Sequence, residues 1–209
     1  MNFIDLFSGA GGLSEGFIRA GFNPVAHVEM DRAACNTMTT RAAYYHLKRT
    51  NNFQPYIDYL KNKITRTELY SLLPQAEKNS VINMSIGGKN NQIIFETIDK
   101  LRGDNPIDLI IGGPPCQAYS VAGPSRDANK MKEDARNYLY VEYARFLEYY
   151  QPKFFVFENV IGLKSAKTKD GKSYLSLMIE LFQEKGYCTE YKVLEAKDFG
   201  VLQSRRRVI

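Results

Sequence analysis

"IDLIIGGPPCQAYS", residues 107–120, decides the fold. Apart from Asp108 its first five residues are apolar without alternation, the pattern of a strand buried on both faces. Two glycines and two prolines end the run and deliver the chain to one cysteine, Cys116. Similar apolar runs at 3–7, 24–28, 81–86, 154–157, 191–194 and 207–209 predict further strands. Between them, helical spacing predicts helices over 13–20, 31–47, 92–101, 134–150 and 173–185. In the fourth, Leu139, Tyr143, Phe146 and Tyr150 form one apolar stripe. Doubly buried strands joined by helical crossovers predict an α/β fold with a doubly wound, mostly parallel sheet. Residues 48–80, polar and tyrosine-rich, break this rhythm and read as an insertion.

With 209 residues and 44% hydrophobic content, the chain can bury one substantial core, so a single domain over 1–209 is expected. Cys35, Cys116 and Cys188 are odd in number and widely spaced, which argues against a disulfide framework, and two histidines leave no zinc spacing. No metal is expected. Cys35 shares a helical stripe with Met38, Ala42 and Tyr45, and Cys188 adjoins Tyr187; core packing is the expectation for both. His27 and His46 stand isolated and receive no role. The N-terminal residues lack a basic leader and no apolar run could span a membrane, so the cytoplasm is the expected location. A net charge of +5 is compatible with a polyanionic partner without requiring one.

After the first strand, "DLFSGAGGLSEGF" (5–17) sets Gly9, Gly11 and Gly12 where the backbone can turn tightly against a ligand at a helix entrance. The second strand ends in "HVEMD" (27–31), with Glu29 20 residues after Gly9, where a carboxylate can accept from both ribose hydroxyls. Together they suggest an adenosine-containing cofactor. A plain strand-to-helix turn beside a solvated acid is the structural alternative, and the spacing G-x-G-G leaves the identity of the cofactor open.

Cys116 and Glu158 both follow predicted strands, at the rim where open α/β sheets hold their ligands. A free thiol with a pKa of about 8.5 is a few per cent thiolate at neutral pH and needs only modest activation to attack carbon. A buried glutamate tends to stay protonated and can serve as an acid. Taken separately, a small cysteine in a rigid turn and a capping acid explain these residues as well.

Five segments in order change that balance: 3–17 "FIDLFSGAGGLSEGF", 27–31 "HVEMD", 108–120 "DLIIGGPPCQAYS", 155–163 "FVFENVIGL" and 199–209 "FGVLQSRRRVI". The chain resembles the DNA cytosine-5 methyltransferase family, whose fold is a doubly wound Rossmann-like sheet, mostly parallel with an antiparallel last strand, and whose cofactor is S-adenosylmethionine. The resemblance implies that Phe7, Ser8, Gly9, Ala10, Gly11, Gly12, Glu29, Met30 and Pro115 hold the cofactor. It implies that Cys116 adds to carbon 6 of cytosine and that Glu158 engages ring nitrogen 3. Asn159 would hold the cysteine loop, Arg205 would contact the cytosine, and Arg207 is the second arginine of the motif. The base would rotate out of the duplex, with 121–137 closing over it.

The resemblance has gaps. "VINMSIGG" (81–88) lacks the family's usual aspartate for adenine, leaving Asn83 or Ser85 as substitutes; Met30 replaces an aromatic residue, and Leu202 a proline. The recognition domain and final motif of the family are not in these residues, so a truncated or split enzyme needing a second polypeptide is an open reading, and these residues alone are expected to lack sequence-specific DNA binding and to show little or no methylation. The expected partner is a cytosine-containing DNA duplex, in a restriction-modification setting, with the chain a monomer. A non-catalytic fragment, an RNA cytosine methyltransferase and an NAD-dependent oxidoreductase are the rivals.

Overall fold

A computed structural model describes residues 1–115, 138–168 and 170–209. Cys116 and the predicted closing loop 121–137 lie outside the described residues. The chain divides into two compact units, Met1–Pro106 and Ile107–Ile209.

In the first unit, β1 (Asn2–Leu6), β2 (Asn23–Glu29) and β3 (Val81–Asn83) run parallel in the order β3-β2-β1. Phe3, Ile4, Leu6, Ala26 and Val28 are wholly buried, as unbroken apolar runs require. Helix α1 (Gly12–Arg19) returns the chain from β1 to β2. Helix α2 (Arg32–Arg49) starts at Asp31, whose carboxylate accepts from the Ala34 amide at 2.7 Å and so caps an orphan donor. β3 stops at Asn83, short of the predicted 86, where the Met84 amide makes the last bond to β2, to the Glu29 carbonyl at 2.9 Å, and also turns back to the Ile82 carbonyl at 3.1 Å.

The predicted insertion is three short helices, α3 (Gln54–Leu60), α4 (Arg66–Ser71) and α5 (Gln75–Asn79). α4 opens on a capping box between Thr65 and Glu68. Its Leu69 joins Leu73, Ala43 and Leu47 in a separate apolar cluster, so the segment folds onto the far half of α2. Helix α6 (Asn90–Arg102) then packs on β2.

In the second unit, β4 (Leu109–Gly112) and β5 (Phe154–Phe157) are parallel, in register from Leu109 with Phe154 to Gly112 with Phe157. Helix α7 (Leu139–Tyr150) is pinned to both strands by Tyr143, whose hydroxyl lies 2.9 Å from the Ile110 carbonyl and 3.2 Å from that of Val156. After β5 come β6 (Asn159–Val160), α8 (Tyr174–Glu184), β7 (Val193–Glu195) and β8 (Arg206–Val208). β6, β8 and β7 form an antiparallel sheet in that order, so the last strand is antiparallel as predicted. The run 154–157 is less buried than its composition suggests: Phe154 is 59% exposed, while Phe155 and Phe157 pack on Phe182.

Cys35 is buried, but Cys188 is exposed and not a core residue, because β7 begins only at Val193 and leaves Cys188 in the preceding connection. No described helix is long and apolar enough to cross a membrane. No cluster of metal-ligating side chains occurs among the described residues.

Candidate active site

The glycine-rich loop after β1 is shaped by backbone conformations that most residues avoid. Phe7, Gly9 and Gly11 have φ of 55°, 52° and 75°. At Gly11 there is also no room: a Cβ would lie 2.6 Å from Arg41 Nη1 and 3.2 Å from Met38 Cγ. Arg41 uses that proximity to donate to the Gly11 carbonyl at 2.6 Å. Ser8 is buried, its hydroxyl donating to the Val28 carbonyl at 3.2 Å, so the loop is tied to the end of β2.

Glu29 completes this cradle. One carboxylate oxygen accepts from the Gly9 amide at 2.7 Å and the other from the Asp31 amide at 2.8 Å. Each oxygen keeps a further lone pair. Ala10, Gly12 and Met30 face solvent around it, Met30 being 70% exposed. Beside them Asn83 spends both amide hydrogens, on the carbonyls of Glu29 at 3.1 Å and Met30 at 2.9 Å, which leaves its oxygen as an acceptor. The hydroxyl of Ser85 is engaged by Asn90 at 2.8 Å. Of the two candidates for the missing aspartate, Asn83 is therefore the one fixed against the cradle.

Behind the loop lies a polar group that sequence reading missed. Ser14 donates to Asp5, and its oxygen is 3.1 Å from His27 Nδ1, all three residues being buried. His27 is thus not isolated. The serine proton goes to the carboxylate, not to the imidazole, so this is a structural tie between β1, α1 and β2 and not a nucleophile with its base. His46 likewise has a partner, Glu77, at 2.9 Å.

On the front of α1, Glu15 accepts from Tyr45 and Arg19, both at 2.7 Å, with Arg41 at 3.4 Å. Burial works to raise this carboxyl, but those hydrogen bonds and charges outweigh it and hold it below the ordinary range. Burial first, and then the charge of Glu29, push the Cys35 thiol up, which keeps it a poor nucleophile.

In the second unit, Glu158 follows β5 with its amide on the Gly112 carbonyl at 2.8 Å. Its side chain is a quarter exposed, so it is only partly screened from water rather than buried as the sequence suggested. Gly113 is what lets it sit there: a Cβ on Gly113 would be 2.7 Å from Glu158 Oε2 and 3.3 Å from its carbonyl oxygen. Sequence reading treated Gly113 only as a strand breaker.

Antiparallel pairing sets Arg207 opposite Val160, next in the chain to Glu158 and Asn159, and Arg207 Nε reaches Glu158 Oε1 at 2.7 Å. Arg205 Nη2 is 3.9 Å from the same oxygen and half exposed. Arg207 is thus the immediate partner of the carboxylate, and Arg205 stands outside it. Oε2 has no hydrogen-bond partner among the described residues and lies against Gly113. Asn159 is buried, its amide 3.5 Å from the Pro114 carbonyl and its oxygen accepting from Val160 at 2.9 Å. Pro115, exposed, is the last described residue before Cys116.

A family model described as "C-5 cytosine-specific DNA methylase" matches residues 1–63 and 77–209. The chain is 39% identical to the Type II methyltransferase M.Bpa9945I of Bacillus paralicheniformis, covering 100% of this chain and 53% of that protein. It is 36% identical to the Type II methyltransferase M.DdeI of Desulfomicrobium norvegicum, covering 100% and 39%. It thus spans about half or less of the length of these relatives. Among solved structures, an E. coli prophage protein assigned as a DNA modification methyltransferase superposes with a TM-score of 0.60 at 28% identity, over 100% of this chain and 45% of that one. The methyltransferase EhMeth of Entamoeba histolytica, at 18% identity and a TM-score of 0.57, shares the fold.

Proposed function

The chain belongs to the C-5 cytosine-specific DNA methylase family, and from that premise we propose that it transfers a methyl group from S-adenosylmethionine to carbon 5 of cytosine in DNA through a covalent adduct on Cys116. The single observation that carries the reading is the carboxyl group of Glu158, held by Arg207 at one oxygen and left without a hydrogen-bond partner at the other among the described residues.

The glycine loop and Glu29 fit the cofactor. The carboxylate is already braced by two backbone amides, and its remaining lone pairs can accept the two ribose hydroxyls. Met30 offers an apolar side chain to the adenine, and the Asn83 oxygen an acceptor to its amino group. When bound, the cofactor supplies an electrophilic methyl group on a sulfonium.

Cytosine carbon 5 is too weak a nucleophile to take that group directly. Addition of the Cys116 thiolate to carbon 6 makes a bond from sulfur to carbon and turns carbon 5 into an enamine-like nucleophile. Glu158, carrying a proton on Oε2, gives it to ring nitrogen 3 as the thiolate adds and takes it back when the sulfur leaves, while Arg207 fixes the carboxyl group through Oε1. Asn159 steadies the turn at Pro114 that leads to the thiol. Once carbon 5 has taken the methyl group, a base removes its proton, the sulfur leaves carbon 6 and the aromatic ring is restored.

The Type II methyltransferase names of the relatives support a restriction-modification role; action as a monomer on duplex DNA is part of the same proposal. The test is product identity: incubation with labelled S-adenosylmethionine and cytosine-containing duplex, followed by nucleoside mass spectrometry sensitive to less than one turnover. Label in 5-methylcytosine, lost in Cys116→Ser, is expected. Label in a methylated exocyclic amino group, or label in 5-methylcytosine that survives Cys116→Ser, contradicts the proposal.

A further inference from the structure

Helices α2 and α3 wall an open cavity of 410 Å³ whose lining includes Thr40, Arg41, Tyr44, Tyr45, Tyr56 and Tyr59. The rings brace each other: Tyr44 meets Tyr45 at 5.2 Å and Tyr56 at 5.3 Å, both edge-on, and Tyr56 leans on Tyr59 at 6.4 Å. Among the described residues, the hydroxyls of Tyr56 and Tyr59 have no hydrogen-bond partner. The back wall is held by α4, where Tyr70 reaches the Asn36 carbonyl at 2.6 Å and the Thr40 hydroxyl at 2.8 Å. Residues 64–76, which include α4, are the part of the chain that the family model does not match. The brace therefore lies outside the segments that match the family model.

The rim is basic. Residues 41–66 hold Arg41, Lys48, Arg49, Lys61, Lys63 and Arg66 against Asp58 alone, an excess of five that equals the +5 of the whole chain. Glu15 and Glu77 offset Arg41 and Arg49, and Asp58 lies 3.6 Å from Lys63. Lys48, Lys61 and Arg66 are exposed and have no carboxylate partner among the described residues, and Lys48 Nζ sits 5.6 Å from the centre of the Tyr44 ring.

We propose that this cavity is an accessory nucleotide site, in which a base stacks against Tyr56 and Tyr59 while its phosphates lie on Lys48, Lys61 and Arg66, and that the occupant belongs to a single-stranded stretch of nucleic acid. Tyrosine faces accept any base, and unspent phenol and ammonium donors suit phosphate oxygens. A base inside a duplex has no free face to offer. Three cations spread over the end of α2, the α3–α4 connection and the start of α4 exceed what one monophosphate can use, which favours a strand over a free nucleotide. The site goes beyond the methyl-transfer chemistry and does not depend on Cys116.

The test is anisotropy titration of a short fluorescent single strand against the full chain, with the matching duplex and deoxycytidine monophosphate as separate arms. Photocrosslinking of a 5-iodouracil strand locates the base. Wild type is expected to bind the single strand better than the duplex and to crosslink within α3. Lys48→Glu with Lys61→Glu, both at exposed positions, should weaken single-strand binding at least about tenfold and reduce the slope of log affinity against log salt by about 1.4. Tyr59→Phe, which keeps the ring, should keep the crosslink, and Tyr59→Ala should reduce affinity about tenfold. Crosslinks outside α2 and α3, or unchanged affinity and salt slope in the charge reversal, overturn the site. Equal binding of the duplex overturns stacking, and monophosphate binding as tight as the strand overturns the strand as occupant. None of these results bears on Cys116, so the methyl-transfer reading stands or falls separately.

Discussion

Adding one methyl group at Gly113 tests whether the position of the Glu158 carboxylate governs the chemistry. In Gly113→Ala the new Cβ would stand 2.7 Å from Glu158 Oε2, where ordinary contact begins at 3.4 Å, and 3.3 Å from the Glu158 carbonyl. The carboxylate has to retreat by about 0.7 Å, or the strand ends have to separate. Since a misplacement of about 1 Å at a reacting group can cost on the order of a hundredfold, a loss of about 10- to 100-fold is expected in the single-turnover rate of adduct formation with a 5-fluorocytosine duplex. Global stability should fall by about 1–3 kcal/mol, the usual range for overpacking, so melting curves must accompany the kinetics. The decisive comparison is a double-mutant cycle: if Gly113 acts through the carboxylate, Gly113→Ala adds little to Glu158→Ala. A Gly113→Ala protein within twofold of wild type, or one whose loss is fully additive with Glu158→Ala, refutes the reasoning.

Other consequences are measurable by simpler means. Arg207→Ala, which removes the 2.7 Å bond to Glu158, should lower the rate of adduct formation about 10-fold or more, whereas Arg205→Ala should act mainly on KM for DNA. Glu29→Ala should weaken S-adenosylhomocysteine binding about 10- to 100-fold by calorimetry, through the loss of charged hydrogen bonds and the stranding of the Gly9 and Asp31 amides. The carboxyl of Glu15 lies below its ordinary value in the fold, so its stabilisation is present above the unfolded pKa of about 4.3 and is lost as pH falls through the lower folded value. Tyr45→Phe should therefore cost about 1 kcal/mol at neutral pH, and the difference from wild type should shrink in denaturation curves taken toward pH 3.

The parallel strands and their helical crossovers were legible because unbroken apolar runs and helical stripes are local patterns. The pairing of the glycine loop with Glu29 was legible too, since a carboxylate 20 residues after Gly9 is what a strand, helix, strand unit brings back to its first turn. What escaped were contacts that exist only after folding. Nothing near Gly113 in the sequence announces that a side chain there would strike Glu158. The partnership of Arg207 rather than Arg205 with that carboxylate comes from antiparallel register, in which Arg207 stands opposite Val160. Asp5, Ser14 and His27 looked unrelated because they sit on three successive elements. Cys188 was misjudged because its place beside Tyr187, close before the strand predicted at 191–194, was read as packing, whereas it lies exposed in the connection that precedes Val193. Residues 48–80 broke the α/β rhythm because their apolar positions serve a separate cluster with Ala43 and Leu47.

The account's central claim is that a sulfur atom of this chain bonds to the cytosine ring. Its most direct measurement is intact-mass analysis of the protein after reaction with S-adenosylmethionine and a 5-fluorocytosine duplex, followed by peptide mapping. A methylated, fluorinated nucleotide covalently attached at Cys116, absent in Cys116→Ser and slowed in Glu158→Gln, is the predicted result. An adduct at Cys35 or Cys188, or a folded protein that binds S-adenosylhomocysteine yet never forms an adduct at any DNA concentration, would contradict it.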